Sequence, residues 1–235
     1  MGSNGVLDAN TLSKLQAGGP QIPQETLSRL TPQPRNTGGD PEIARRLDQM
    51  HASRPSTPQP GDVSPEQLQR IVGSGMSPDR AQQLAPHLNN AMREAGITTD
   101  RQKAAFISQL AHESGGFRHF EELASGRAYE GRRDLGNTQA GDGERFKGRG
   151  PIQLTGRANY QAAGRALGLD LENNPDLVSR PDVGFRVAAW YWNSRNINQT
   201  ADRGDFVGVT RAINGGTNGL DDRMRYYERA LGALA

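Results

Sequence analysis

Proline divides this chain. Nine of its 14 prolines (Pro20, Pro23, Pro32, Pro34, Pro41, Pro55, Pro58, Pro60 and Pro65) fall within residues 1–70, and five fall in the remaining 165. Proline lacks an amide donor, so stretches such as Thr31-Pro-Gln-Pro-Arg35 and Arg54-Pro-Ser-Thr-Pro-Gln-Pro60 exclude long helices. They also carry too little apolar surface to offset the entropy of ordering. Residues 1–70 are therefore expected to form a flexible leader with short helical islands at 24–30 and 41–50. Residues 71–235 are expected to form the folded domain.

Composition narrows the class. Hydrophobic residues are 34% and charged residues 23% of 235, with mean hydropathy -0.75, lean for a globular chain. No run approaches the roughly 18 apolar residues that span a bilayer. Residues 1–10 lack a charged-then-apolar signal. Neither a membrane protein nor a classically secreted precursor is expected. The absence of cysteine excludes disulfide frameworks, thiolate nucleophiles and cysteine-ligated metals. A net charge of +2 is too mild to point to nucleic acid, whereas the pI of about 9.1 suits an anionic polymer such as a bacterial wall.

Helical signals become regular from Ser64. Ser77-Pro78 reads as a cap with proline at the first helical position, followed by Leu84, Leu88, Ala91, Met92 and Ala95 at helical spacing up to Gly96. Thr99 or Asp100 caps the next helix, whose apolar face is Ala104, Ile107, Leu110 and Ala111 and whose stop is Gly115-Gly116. Residues 126–150 are glycine- and charge-rich, with at most a short hairpin ending at Ile152-Gln-Leu-Thr155. Further helices are expected at 157–167, 181–193, 205–213 and 220–233. Most of the domain is therefore α, with a long glycine-rich excursion that reads as functional.

Glu113 ends an apolar helix just before two glycines, where backbone can approach a ligand closely. Partial burial and the helix's negative end both favour a protonated carboxyl there, the form a proton donor needs. Glu121, Glu122, Glu130, Asp134, Asp142 and Glu144 follow, and any of them could complete the carboxylate pair that glycosidic hydrolysis requires. Rival chemistries lack their residues. His112-Glu113 begins like a zinc-protease helix, but position 116 is glycine where a second histidine is needed, and no spacing among His51, His87, His112 and His119 supports a metal. Gly148-Arg-Gly150 opens like a dinucleotide loop, yet Gln153 stands where glycine is required. No nucleophile-elbow serine is present.

A series of motifs carries more than any single residue. His112-Glu-Ser-Gly-Gly-Phe117, Tyr129-Glu-Gly-Arg132, Leu135-Gly-Asn137 and Phe146-Lys-Gly-Arg-Gly-Pro-Ile-Gln-Leu-Thr155 occur in order. Asn159-Tyr160, Asn174-Pro-Asp176, Ala188-Ala-Trp190, Ile213-Asn-Gly-Gly216 and Asp222-Arg223 complete them. From about Ser77 to Leu234 the chain resembles the glycoside hydrolase family 19 catalytic domain, in the compact form of phage endolysins and bacterial wall-lytic proteins. Asn4 to Leu12 also resembles the close of a peptidoglycan-binding repeat, but so short a stretch reads as an ordinary solvated linker.

The family resemblance implies a mainly α, lysozyme-like fold of two lobes around a cleft, with a small β-hairpin region. It implies Glu113 as general acid. The base is open: the endolysin type points to Glu122, the plant type makes Glu130 a rival, and an unpaired acid on a mobile loop suits the role, which favours Glu122. Thr155 would hold the attacking water. Gln153, Asn159 and Asn214 would bond the sugar N-acetyl and hydroxyl groups, Arg223 would link to the acidic centre, and Tyr160 would either pack or touch sugar. Trp190 and Trp192 read as core. No metal or cofactor is implied.

The implied reaction is inverting hydrolysis of β-1,4 bonds in peptidoglycan glycan strands, with chitin or a non-catalytic sugar-binding module as alternatives. A wall amidase would need metal ligands. The expected protein is a monomer without nucleic-acid partner or stable membrane insertion. Made in a bacterial cytoplasm, it would act in the periplasm or on the wall. Its route, a holin or a secretion system, and any immunity partner are open.

Overall fold

The computed structural model describes residues 58–235. The expected islands at 24–30 and 41–50 and the Asn4 to Leu12 stretch lie outside the described residues. Within them nine α-helices occur. They are α1 (Pro65–Val72), α2 (Pro78–Glu94), α3 (Asp100–Glu113), α4 (Asp142–Arg145), α5 (Arg157–Leu167), α6 (Pro181–Asn193), α7 (Ile197–Asp202), α8 (Phe206–Asn214) and α9 (Leu220–Leu234). Three 3-10 turns, Arg127–Tyr129, Arg133–Leu135 and Pro175–Ser179, interrupt the loops.

The long helices begin where side chains satisfy free amides. Ser77 caps α2 by accepting from Arg80 N, with Pro78 in the first turn. Thr99, rather than Asp100, caps α3, and Gln102 returns the bond to the cap amide. α1 uses the same reciprocal box between Ser64 and Gln67, and buries Leu68, Ile71 and Val72. Ahead of it, Val63 is tied on both sides to the Asn89 side chain at 2.9 Å. The packed body thus begins before the expected boundary at residue 70. Prolines 60 and 65 belong to its entry turn and first helix, where proline is compatible with helix initiation.

The helices bury one continuous core around Leu68, Ile71, Leu84, Leu88, Phe106 and Trp192. α9 lies along α3 in the most extensive helix pairing, while α2 packs on α6. Residues 118–180, with α4, α5 and the 3-10 turns, form a loop-rich part docked on α6 through α5 and Pro175–Ser179. Its expected β-hairpin does not form. Only two isolated antiparallel bridges appear, Glu121 with Arg149 and Arg149 with Leu154. Positive φ at Gly150 (74°) and Gln153 (55°) turns the backbone away before a ladder can propagate.

Candidate active site

Two clusters of polar side chains face the chemistry, one on helices and one on loops. The first is built around Glu113, the last residue of α3. Ser114 closes the helix by donating its hydroxyl to Leu110 O and accepting from Phe117 N. Gly115, Gly116 and Phe117 then take φ of 60°, 74° and 60°. Glycine is needed at 116, where a Cβ would press Val72 at 3.2 Å. Phe117 bears the strained conformation because its ring is fully buried against Phe185, 5.8 Å away. The Glu-Ser-Gly-Gly-Phe motif is thus a device for stopping a helix at a carboxylate.

Glu113 is 5% exposed, more buried than its sequence setting implied, and Arg223 is 0% exposed. Arg223 Nη2 donates to Glu113 Oε1 at 2.5 Å, and its Nη1 donates to Gln109 Oε1. Gln109 passes a bond to Thr210 Oγ1, and Arg223 Nε donates to Asn218 O. Arg223 thus lies directly against the Glu113 carboxyl. A buried carboxylate without such compensation would cost several kcal/mol. Asn214, 3% exposed, donates to Asn218 O and accepts from Gly216 N, so its amide shapes the 214–219 turn beside Arg223.

His112 sits on the outer side of this cluster. Its Nδ1 meets Asp222 Oδ2 at 2.7 Å, and its ring lies so close to Gly219 that a Cβ there would stand 2.4 Å from Nε2. Burial, with help from the Arg223 charge, pushes the imidazole below its ordinary range against the pull of Glu113 and Asp222. Tyr191 also joins this region. Its hydroxyl donates to Ile213 O at 3.1 Å, and burial raises its pKa, with Glu113's charge acting in the same direction.

The second cluster is built around Glu122, which is 8% exposed. Tyr129 OH donates to Oε1 and Gly148 N donates to Oε2, both at 2.9 Å. Gly148 has no alternative here, since a Cβ would stand 2.9 Å from both Glu122 Oε2 and Gln153 Oε1. That crowding also sets Gln153 beside Glu122. Gln153 Nε2 donates to Gly150 O, Thr155 Oγ1 donates to Gln153 O, and Asn159 Nδ2 donates to Thr155 O. Gln153, Thr155 and Asn159 thus form one run leading away from Glu122. Glu113 and Glu122 share no hydrogen-bond partner among the described residues.

Two expectations change. Glu122 is not an unpaired acid on a mobile loop; it is buried and held by two neutral donors. Among the described residues no cation sits on its carboxyl, unlike those of Glu121, Asp134, Asp142 and Glu144. Glu121 pairs with Lys147, Asp134 with Arg132, Asp142 with Arg157 and Glu144 with Arg127. Glu130 is spent differently: Gly141 N and Gly143 N each donate to it at 2.8 Å, so it anchors the turn into α4. Tyr160 is a core residue rather than a sugar contact. It is 0% exposed, donates to Lys147 O, and packs on Phe146 at 5.3 Å; burial drives its hydroxyl far above the usual phenol range.

Trp192 is buried edge-on against Phe106, and Trp190 is partly buried on the same core. Among the described residues no three histidine, aspartate or glutamate side chains group as a metal site. The sequence reading missed Gln109, Thr210, Asn218 and Tyr191. Gln109 left a usable signal, because it stands one helical turn before Glu113 on the same face of the helix. Thr210 and Asn218 left none, since only folding brings them near.

Comparison with known proteins gives the family of the chain. The model of the chitinase class I family matches residues 87–208. A glycosyl hydrolase family 19 domain-containing protein of Haemophilus influenzae is 34% identical over 171 aligned residues, 60% of this chain and 83% of that one. An Arabidopsis thaliana endochitinase is 42% identical over 139 residues, and the alignment spans 47% of its length. The chain thus spans about half of the plant relative. Among solved structures, a bacterial family 19 chitinase superposes with TM-score 0.59 at 27% identity, covering 74% of this chain and 95% of that one. Chitinase C of Streptomyces griseus superposes with TM-score 0.60 at 26% identity, covering 76% and 95%. Glu113, Glu122, Gln153, Thr155 and Asn159 all lie within the matched span, while Asn214 and Arg223 reach in from beyond it. With its lysozyme-like helical fold and its carboxylates framed in this way, the chain belongs to glycoside hydrolase family 19.

Proposed function

We propose that the chain hydrolyses β-1,4 glycosidic bonds of bacterial peptidoglycan by an inverting mechanism, with Glu113 as general acid and Glu122 as general base. The observation that carries the reading is the difference between the two carboxylates. Both are buried, they share no partner, and only Glu122 is held without a cation. Inversion needs two carboxyls about 6.5–9.5 Å apart with a water between base and sugar. Glu113 would protonate the glycosidic oxygen as the bond to the anomeric carbon breaks. Glu122 would take a proton from the water that attacks the opposite face.

Tyr129 and Gly148 would hold that base in one orientation, and the fixed geometry spares reorganisation during the reaction. Thr155 would help place the water, with Gln153 and Asn159 along the sugar. Peptidoglycan is supported by the pI of about 9.1, which suits an anionic wall polymer, and by similarity to a bacterial protein over most of its length. The reading extends to a protein acting in the periplasm or on the wall. No described helix is long and apolar enough to cross a membrane. Because packing begins at Val63, residues 1–57 are proposed to be dispensable for cleaving soluble fragments. Chitin is the second reading, favoured by the endochitinase names of relatives.

The test is mass spectrometry of fragments from purified peptidoglycan, with NMR of the newly formed anomer. Glycan pieces with new reducing ends and initial inversion are expected. Release of free stem peptides, or cleavage of chitin oligomers alone, would overturn the reading.

A further inference from the structure

Arg195 is a guanidinium with hydrogen-bonding capacity left over. It lies just past α6, after the cap residue Ser194. Its charged carbon stands 3.5 Å from the centre of the Tyr191 ring. Nη1 donates to Tyr191 O at 3.4 Å and to Ser194 Oγ at 3.0 Å, while Nε is buried with no partner. No carboxylate pairs with it among the described residues. Burial lowers the pKa of this half-buried group, and only Tyr191 opposes that shift.

A helix-end role accounts for part of this side chain. Basic groups at a helix C-terminus bond the last carbonyls and meet the negative end of the dipole. That role uses Nη1 alone. Nη2 remains accessible and can donate to a carboxylate oxygen, while Nε on the same edge is covered, so a second bond needs a small shift of the side chain. Removing a cation from water without an anion is unfavourable, and docking an anion relieves it. The position is also close to the reaction centre. The Tyr191 ring under Arg195 bonds Ile213 O, next to Asn214, and feels the charge of Glu113.

We propose that Arg195 receives a carboxylate of the substrate, one of the acidic groups that the lactyl-linked peptide gives peptidoglycan and that chitin lacks. The proposal rests on the peptidoglycan reading above and makes Arg195 a determinant of choice between the two polymers. It predicts a side chain that matters for a charged glycan and little for a neutral one.

The experiment compares Arg195→Gln and Arg195→Lys with wild type on soluble uncross-linked peptidoglycan strands and on the hexamer of N-acetylglucosamine. Arg195→Gln is expected to lower the peptidoglycan-to-hexamer ratio of kcat/KM about tenfold, mainly through KM, as for loss of a charged hydrogen bond. Arg195→Lys should recover part of the ratio. An unchanged ratio, or an equal fall on both substrates, overturns the assignment and leaves Arg195 as a helix cap.

Should Arg195→Gln melt early, binding by the full chain carrying Glu113→Gln decides instead. The probes are a muramyl-peptide fragment and the same fragment with its carboxyls amidated. Tighter binding of the free acid is expected, and equal binding overturns the proposal. A wild type that cleaves the hexamer and leaves peptidoglycan intact fails the functional reading itself. Equal binding of both fragments by a peptidoglycan-cleaving enzyme fails only Arg195.

Discussion

The two carboxylate cradles are built from different materials. Glu113 is held by side chains on helices: Arg223 of α9, braced by Gln109 of α3, which in turn bonds Thr210 of α8. Glu122 is held by loop parts, a backbone amide at Gly148 and the phenol of Tyr129. The first cradle puts a full charge against the carboxyl deep in the helical core. The second offers two neutral donors and keeps the carboxylate free of a counter-ion. A charged cradle fixes its carboxyl through an ion pair, whereas two neutral donors orient theirs for the attacking water.

Glu113→Gln tests this contrast most severely. The amide keeps the shape and can still accept from Arg223, but it cannot donate the reaction proton. A loss of about 10²–10⁴-fold in wall hydrolysis is expected, and melting should fall as well, because Arg223 is left buried without its counter-charge. Near-normal turnover by a well-folded variant would break the comparison outright. Arg223→Met attacks the same cradle through stability. It leaves a buried carboxylate uncompensated, so a loss of about 3–5 kcal/mol is expected in denaturant unfolding. A loss under about 1 kcal/mol, the scale of an exposed pair, would show that the Glu113 environment is far wetter than its burial indicates.

The loop cradle is tested by a pair of variants. Glu122→Gln should cost about 10²-fold in activity, as for loss of one general base, with stability nearly retained. Glu130→Gln should instead weaken the turn into α4 by about 1–2 kcal/mol, measured by thermal melting, with catalysis on short glycans kept. The reverse pattern would exchange their roles. Tyr160→Phe removes a hydroxyl that donates to Lys147 O and accepts from Arg149 Nη1, so it should cost about 1–3 kcal/mol and leave KM for glycan oligomers unaltered. A raised KM at unchanged stability would return Tyr160 to the sugar.

The smallest effect concerns pH on the helical side. His112 has its folded pKa below the ordinary 6.5, first through burial and then through Arg223. The unfolded chain therefore binds the proton more readily. Its contribution to stability is present above pH 6.5 and is lost as pH falls from there through the folded value. Melting temperature followed from pH 7.5 to 5.5 should decline, and His112→Asn should flatten part of that decline. An identical slope in the variant would remove His112 from the account.

Much of this was legible in the sequence because its causes are local. Helices at 157–167 and 181–193 begin and end where the spacing places them, and those expected at 205–213 and 220–233 fall within one residue of α8 and α9. Glu113 before Gly115-Gly116 could be singled out because a helix, its stop and a carboxylate are contiguous there. Glu122 stands out in the sequence, but its burial and bonding are not visible there. Exposure and pairing of a loop acid depend on Tyr129 and Gly148, and on the cations that claim Glu121, Asp134, Asp142 and Glu144. The sequence leaves Tyr160 open between packing and sugar, because its burial is set by Phe146 and Lys147 from another segment.

The sequence by itself determined the helices, their caps and the place where a carboxylate ends a helix, since capping, periodicity and glycine stops act within a few residues. It determined the motif series as well. Only the tertiary structure decided that Arg223 meets Glu113 across 110 positions and that Glu130 anchors a turn. It also decided that the hairpin shrinks to two bridges and that Arg195 Nε finds no partner among the described residues. Charge compensation and burial depend on which distant segments are brought together, and no local pattern encodes them.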